Sequence, residues 1–274
     1  MYTTQHIHEG FPMSRFLLSC FLLALLATTA HAQEKTKILL IGKDRDHPYG
    51  THEYMTDCTL LATCLKQTPD IEPIVSNGWP KNADALKDVK AIVLYTRNGG
   101  NVLFDPFNKD IAEKLLKRGV GLTAIHWSTG AEGQLGEQWL DALGGWFSTK
   151  FSKLNTTTTK LKQVNPKHPI CRGWEEYELR DEFYLELKFK EKATPIVQVE
   201  LNQKTHTVAW TYERPDAKGR SFGCVLGHFH DNFGERRFRQ MLVNGILWTA
   251  HREVPAMGAP VAIKAKDLEL PPKK

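Results

Sequence analysis

The sequence is poor in cysteine, with 5 in 274 residues, and no two of them form a CxxC pair or show zinc-finger spacing. Cys20 lies inside an apolar run near the N-terminus, which leaves Cys58, Cys64, Cys171 and Cys224. A domain of this size does not need disulfides. We therefore expect these four residues to be free, buried thiols.

The sequence also lacks a cluster of basic residues, a long apolar run and an internal repeat. The net charge of +5 is spread along the chain, so the composition does not suggest a nucleic-acid-binding protein. The longest apolar run, residues 16–27, is shorter than the roughly 20 residues that a membrane-spanning helix needs. We expect no stable membrane span.

That apolar run belongs to a pattern typical of a cleavable secretory signal. Translation from Met13 would give the basic Arg15, the apolar run, and then small residues up to Ala32. We expect cleavage after Ala32, removal of residues 1–32, and an exported protein in the periplasm or outside the cell. Residues 33–251 are then predicted to form one α/β domain, and the Pro- and Lys-rich residues 252–274 a surface tail.

Strands and helices alternate through the first half of this domain. The apolar segments 36–42, 71–75, 90–95 and 119–126 are predicted strands, and residues 52–66 and 105–118 are predicted helices between them. This alternation is typical of a mostly parallel sheet with right-handed crossovers. Further extended segments follow at 151–164, 177–189, 194–201, 207–212 and 220–226, before a last helix at 235–250. Segment 151–164 is polar and Thr-rich, which suits a half-exposed or edge strand.

Histidines and carboxylates stand where several of these strands end. The strand at 119–126 stops at His126, and His228 follows the strand at 220–226. The loop after the first strand contains His47 and His52. In an open parallel sheet, ligands bind outside the carboxyl ends of the strands, so we expect one shared crevice there.

Five segments in order resemble the ThuA-like (trehalose utilisation) family: residues 46–54, 124–127, 181–184, 209–211 with 219–220, and 226–228. The resemblance extends from about Lys37 to Ala250. It implies a flavodoxin-like three-layer sandwich of the class I glutamine amidotransferase-like type. It also implies a role in carbohydrate metabolism.

The resemblance to true amidotransferases fails at the nucleophile. Those enzymes carry a cysteine on the tight turn after a strand, where this chain has His126, and a later histidine that His228 matches. Acyl transfer needs a thiolate or alkoxide beside a base. The nearest cysteine, Cys224, lies inside a predicted strand, so we do not expect glutamine hydrolysis.

Two chemistries remain open for the crevice. Its side chains could bind a divalent metal such as zinc, or act as general acid and base without a metal. His52 and Glu53 are adjacent, so no HExxH helix decides between the two. The candidate catalytic residues are His126, His228, Asp181 and Glu182. The candidate metal ligands are His52, Glu53, His126 and His228, and the candidate substrate contacts are His47, Trp127, Arg97, Asn98 and Tyr184.

Three functions are compatible with these residues. The first is an exported enzyme that acts on a sugar or an oxidised sugar derivative by hydrolysis, elimination or isomerisation. The second is a non-catalytic sugar-binding or scaffold protein on a fold that has lost its nucleophile. The third is a hydrolase that uses another nucleophile, such as Ser128.

Overall fold

The computed structural model describes residues 1–5, 35–216 and 218–273 of the chain. The chain divides into two units, residues 1–33 and 34–274. In the first unit only the coil at residues 1–5 is described. The predicted signal segment, including Met13 and the cleavage position after Ala32, therefore lies outside the described residues.

The second unit is built on a nine-stranded sheet with the strand order 2-1-3-4-11-10-9-6-7. Strands β1 to β4 and β11 are parallel to one another, whereas β10, β9, β6 and β7 continue the sheet in antiparallel fashion. The strands are β1 (Thr36–Gly42), β2 (Ile71–Asn77), β3 (Val89–Leu94), β4 (Gly121–Ile125), β5 (Gly145–Trp146), β6 (Lys153–Gln163), β7 (Tyr177–Leu185), β8 (Lys188–Phe189), β9 (Thr194–Leu201), β10 (Lys204–Glu213) and β11 (Arg220–Cys224). Strands β5 and β8 form a separate small pair.

Helices cover both faces of the parallel half. They are α1 (Tyr54–Leu65), α2 (Gly99–Leu103), α3 (Lys109–Lys117), α4 (Leu135–Leu143) and α5 (Arg236–Thr249). Helices α1 and α5 contact each other and one face of the sheet, while α2 and α4 contact each other and α4 packs on the other face. The predicted flavodoxin-like three-layer sandwich with a mostly parallel sheet and added extended segments is confirmed.

The central parallel strands β1, β3 and β4 are mostly apolar and buried because both of their faces are covered. Residues Ile38–Ile41 of β1 are fully buried. Helix α5 approaches the sheet closely at Gly121, where a Cβ atom would lie 2.1 Å from the carbonyl oxygen of Thr249. A side chain at this position would push α5 off the sheet.

The structure differs from the sequence-based elements in three places. Strand β6 is half-exposed, as predicted, but it is not the last strand: it pairs with β7 over most of its length and with β9 at Lys162 and Gln163, so β7 lies at the end of the sheet. The predicted strand at 177–189 is divided into β7 and β8. The short helix α2 begins at Gly99, where the sequence pattern predicted no helix, and the helix expected from residue 105 begins at Lys109.

Residues 252–273 lie mostly on the surface, and a few of them anchor the segment to the domain. Val254, Ala259 and Val261 are buried. The side chain of Gln240 on α5 donates to the carbonyl oxygens of Met257 and Ala259, at 3.1 and 3.0 Å. Sequence reasoning missed this packing because the segment has prolines and no periodic apolar pattern.

The cysteines and the helices of the described residues bear on two expectations from composition. Cys58, Cys64, Cys171 and Cys224 are free and buried, as predicted. No helix in the described part of the chain is both long enough and apolar enough to span a membrane.

Candidate metal centre

The carboxyl ends of β1, β3, β4 and β11 meet at one edge of the sheet because these strands are parallel neighbours. Strand β1 pairs with β2 on one side and β3 on the other, so this edge contains the point where the strand order reverses. Ligands bind at such points in open α/β sheets. The loop after β1 supplies His52, the end of β4 supplies His126, and the segment after β11 supplies His228.

His126 stands on a sharp elbow. The strand β4 ends at Ile125, His126 has a φ of 54°, and a 3-10 turn begins at the same residue. A positive φ is uncommon outside glycine and is often retained at functional sites. The ring Nδ1 lies 2.7 Å from the carbonyl oxygen of Val225, which can only accept, so Nδ1 donates and Nε2 presents its lone pair.

His52 is placed in a similar way. It has a φ of 51° and is 1% exposed, and its backbone N–H donates to the carbonyl oxygen of His228 at 3.0 Å. The hydroxyl of Tyr54 lies 2.8 Å from its Nδ1, and Asp46 Oδ1 lies 3.5 Å from the same nitrogen. With Nδ1 engaged on this side, Nε2 faces the other two histidines.

The three histidines converge on one point. His52 Nε2 lies 3.0 Å from His126 Nε2 and 3.0 Å from His228 Nδ1, and the last two atoms are 3.3 Å apart. Nitrogens that bind zinc at about 2.0–2.1 Å in a tetrahedron are about 3.3 Å from each other. The triangle of nitrogen atoms therefore has nearly the dimensions of three ligands on one ion.

Glu182 completes the group. Its Oε2 lies 3.4 Å from His228 Nδ1 and 3.7 Å from His126 Nε2. The four side chains offer atoms that all lie within 4.8 Å of one another. We call His52, His126, Glu182 and His228 the histidine cluster.

The electrostatics of the cluster keep its buried histidines neutral. Burial, followed by the neighbouring His47 and His228, lowers the pKa of His52 to about 3. Burial and the nearby His52 hold the pKa of His126 well below its usual value, even though the Val225 carbonyl opposes the shift. Metal ligation requires unprotonated imidazoles, so this environment favours it.

Asp181 lies next to the cluster and holds the backbone of two of its residues. Its carboxylate is fully buried and accepts from the backbone N–H groups of Gly227 at 2.8 Å and His228 at 3.0 Å, from that of Glu182 at 2.8 Å, and from Asn232 Nδ2 at 3.0 Å. Burial raises its pKa to about 6, although these donors act in the opposite direction. These hydrogen bonds position His228 and Glu182, and the catalytic role of Asp181 stays a prediction.

Glu53 departs from its predicted role as a metal ligand. Its Oε1 accepts from Arg45 at 2.7 Å and from the backbone N–H of Gly50 at 2.9 Å. Glu53 is adjacent to His52 in sequence, but its carboxylate holds the loop after β1 and is not part of the cluster.

The predicted substrate contacts border the cluster. The ring of His47 lies 3.8 Å from that of His52 and 5.1 Å from that of Trp127. The Arg97 guanidinium lies 4.9 Å from the Trp127 ring centre. Tyr184 stacks on His126 and donates its hydroxyl to Nε2 at 3.0 Å.

Asn98, also a predicted substrate contact, forms its hydrogen bond away from the cluster. It is buried, with a left-handed backbone at the start of α2, and its Nδ2 donates to Glu132 Oε1 at 2.5 Å. Its side chain therefore ties α2 to the loop before α4, and no contact with the cluster histidines is seen among the described residues.

Neither alternative nucleophile is available. Ser128 is fully buried, and its Oγ accepts from the backbone N–H of Thr96 at 2.6 Å and donates to the Thr96 carbonyl at 2.9 Å. Cys224 lies inside β11, where burial raises the pKa of its thiol to about 12. The site chemistry rests on imidazole and carboxylate.

Sequence reasoning missed Asp46 and Tyr54 as partners of His52. Asp46 forms ion pairs with Lys43 at 2.8 Å and His47 at 2.9 Å. Lys43 and His47 lower its pKa to about 2, against the effect of partial burial. Both residues lie in the 46–54 segment that resembles the family, which was the available signal.

Comparison with known proteins identifies the family and the fold of the chain. The family model described as trehalose utilisation (ThuA) matches residues 37–249. The chain belongs to the ThuA family. No curated protein matches it.

Solved structures with the same fold are distant in sequence. A putative ThuA-like protein from Bacteroides uniformis is 15% identical with a TM-score of 0.61, covering 82% of this chain and 96% of that one. One from Parabacteroides merdae is 14% identical with a TM-score of 0.60, covering 86% and 100%. A cytoplasmic protein from Salmonella typhimurium is 16% identical with a TM-score of 0.56, covering 78% and 99%. At these identities the likeness of this ThuA chain to them shows the fold alone.

Proposed function

We propose that this ThuA protein is an enzyme that binds a divalent metal ion, such as zinc, and acts on a sugar or an oxidised sugar derivative. The observation that carries the proposal is the histidine cluster, in which three imidazole nitrogens lie 3.0–3.3 Å apart. The sugar comes from the family description, trehalose utilisation. Three histidines with a further open position are typical of catalytic rather than structural zinc sites.

The chain's own residues supply the remaining functions. His52, His126 and His228 would hold the ion, which when bound acts as a Lewis acid on a substrate oxygen. Glu182 is 19% exposed and close to two of these ligands, so it can accept or return a proton at the substrate. His47 and Trp127 border the open side and would contact the sugar ring.

Metal content tests the first part of the proposal. Protein purified without a histidine tag and analysed by elemental mass spectrometry is expected to contain about one divalent ion per chain. His52→Ala, His126→Ala and His228→Ala should each lose it. His168→Ala is a matched control because His168 is a partly buried histidine elsewhere. A wild-type protein that takes up no stoichiometric metal would exclude the metal-dependent form.

Turnover tests the second part. A panel of disaccharides and oxidised sugars is incubated with metal-loaded wild type and with Glu182→Gln. We expect product only with wild type, while the variant keeps its metal. Binding without turnover by both proteins would instead support a non-catalytic sugar-binding protein.

We also propose that the protein is exported, on the strength of the secretory pattern at residues 13–32. Expression of the full chain followed by mass analysis should give a mature protein that begins at Gln33. Recovery of only the uncleaved chain from the cytoplasm would contradict export.

A further inference from the structure

Each of two cluster histidines is followed by an aromatic residue, and an arginine lies over each aromatic ring. Trp127 follows His126, and the Arg97 guanidinium lies 4.9 Å from its ring centre. Phe229 follows His228, and the Arg180 guanidinium lies 4.4 Å from its ring centre. Stacking of this kind fixes a guanidinium without using its N–H donors.

The aromatic rings place both arginines beside the cluster. The Phe229 ring centre is 4.6 Å from that of His228, and the Trp127 ring centre is 5.5 Å from that of His52. Arg180 also lies on β7, where Glu182 and Tyr184 follow at alternate positions and so share its face. Glu182 and Tyr184 both reach the cluster.

The charges of these two arginines are largely uncompensated. Within the described part of the chain, no carboxylate lies within 4.0 Å of the Arg180 guanidinium, and the one near Arg97 is the exposed Glu132 at 3.9 Å. Arg45 provides a contrast, since it lies over Tyr49 but is 2.7 Å from the buried Glu53. Of these three arginines, Arg97 and Arg180 are the two that have no buried carboxylate partner among the described residues.

We infer that Arg97 and Arg180 bind an oxyanion, so that the substrate is a hydroxylated compound bearing a carboxylate or a phosphate group. A guanidinium presents donors in a planar fork that matches both groups. This inference rests on the proposed function, because it takes the histidine cluster as the reacting centre. The substrate would then carry a negatively charged group, which a neutral sugar lacks and which metal binding by the histidine cluster does not require.

Calorimetric titration of zinc-loaded protein tests the inference with four ligands: gluconate, glucuronate, glucose 6-phosphate and glucose. At least one acidic ligand should bind about tenfold more tightly than glucose. Arg97→Gln and Arg180→Gln should each weaken the acidic ligands by about tenfold and leave glucose unchanged. Preference between the sugar acids and the sugar phosphate identifies the anion.

Arg237→Gln is the matched control, because Arg237 lies over Tyr177 at 4.4 Å in the same kind of contact and is paired with Glu235 away from the cluster. It should bind all ligands as wild type does. The inference would be overturned if glucose bound as tightly as every acidic ligand, or if no acidic ligand bound. It would also be overturned if both variants lost as much affinity for glucose as for the acidic ligands. Metal content is measured on the same samples. A protein that holds no stoichiometric metal but still prefers the acidic ligands would contradict the metal proposal and not the assignment of the anion site.

Discussion

Asp181 shows how one buried carboxylate can organise two site residues. It accepts from the N–H groups of His228 and Glu182, which lie 47 and 1 residues away in sequence. Supports of this kind orient ligands, and their loss typically lowers metal affinity by 10–100-fold. The residue is needed as an anion, since every hydrogen bond to it comes from a donor.

Asp181→Asn should therefore weaken metal binding by about tenfold or more while the chain stays folded. The amide NH₂ would face at least one backbone N–H, which costs about 1–3 kcal/mol. A competition titration with a chromogenic chelator measures the affinity, and circular dichroism checks the fold. Asp231→Asn, an exposed neighbour, is the control. Unchanged affinity in Asp181→Asn would remove its positioning role.

Tyr184 offers a substitution that separates metal binding from substrate binding. Its ring is stacked between those of His126 and Phe147, and only its hydroxyl reaches His126 Nε2. Once Nε2 binds a metal, that hydroxyl is available to a substrate hydroxyl.

Tyr184→Phe should keep its full metal content. Its dissociation constant for the sugar ligand should rise by about tenfold, which is the effect of one lost hydrogen bond. Calorimetry and elemental analysis of the same sample provide both values. Tyr177→Phe, on the same strand, is the control, because the buried Tyr177 hydroxyl has no hydrogen-bond partner in the described part of the chain. Loss of metal from Tyr184→Phe would place the hydroxyl at the ion instead.

Among the strands and helices, the sequence predicted those whose structure follows from a local pattern of residues. The apolar runs of β1, β3 and β4 identified the parallel strands, and the abrupt end at His126 identified the elbow. Glu182 and His228 could be named as candidates, but their distance to His52 depends on how β7 and β11 pair in the sheet. The polar, Thr-rich pattern of β6 predicted its half-exposed face, but its neighbours in the sheet are set by long-range contacts that a local pattern does not show. Adjacency to His52 does not reveal which way a loop carboxylate points, so the sequence could not show that Glu53 faces Arg45.

A pH-sensitive histidine outside the site, His168, caps the 3-10 turn at Pro169–Cys171. His168 Nδ1 accepts from the N–H of Ile170 at 3.2 Å. Burial, then Arg220 and Arg172, lower the pKa of His168 to about 4. In the unfolded chain its pKa is about 6.5. Between these values the unfolded chain binds a proton that the folded chain does not, so stability falls as the pH drops through this window.

His168→Asn should make the stability less dependent on pH between 7 and 4.5. Asparagine retains an oxygen that accepts from Ile170 but does not titrate. Denaturant unfolding at several pH values measures the slope, and the contributions of His52 and His126 cancel in the comparison with wild type. Parallel pH profiles for the two proteins would contradict the assignment of this shift to His168.

For the whole molecule, the cluster connects parts of the chain that are far apart in sequence. His52 and His228 are 176 residues apart, and Glu182 comes from the antiparallel half of the sheet. A metal bound by the three histidines would link the loop after β1 to the ends of β4 and β11. Because the unfolded chain does not hold these ligands together, binding energy becomes folding energy.

Removal of metal should therefore lower the thermal midpoint of the whole domain. At a free metal concentration 100 times the dissociation constant, stabilisation is about 2.7 kcal/mol. For a domain of this size each kcal/mol corresponds to about 2–4 °C, so chelation should lower Tm by about 5–10 °C. Differential scanning calorimetry with and without a chelator measures the shift. His228→Ala should melt at the same temperature in both conditions, whereas a wild-type Tm that ignores both chelator and added zinc would contradict a metal held between these strands.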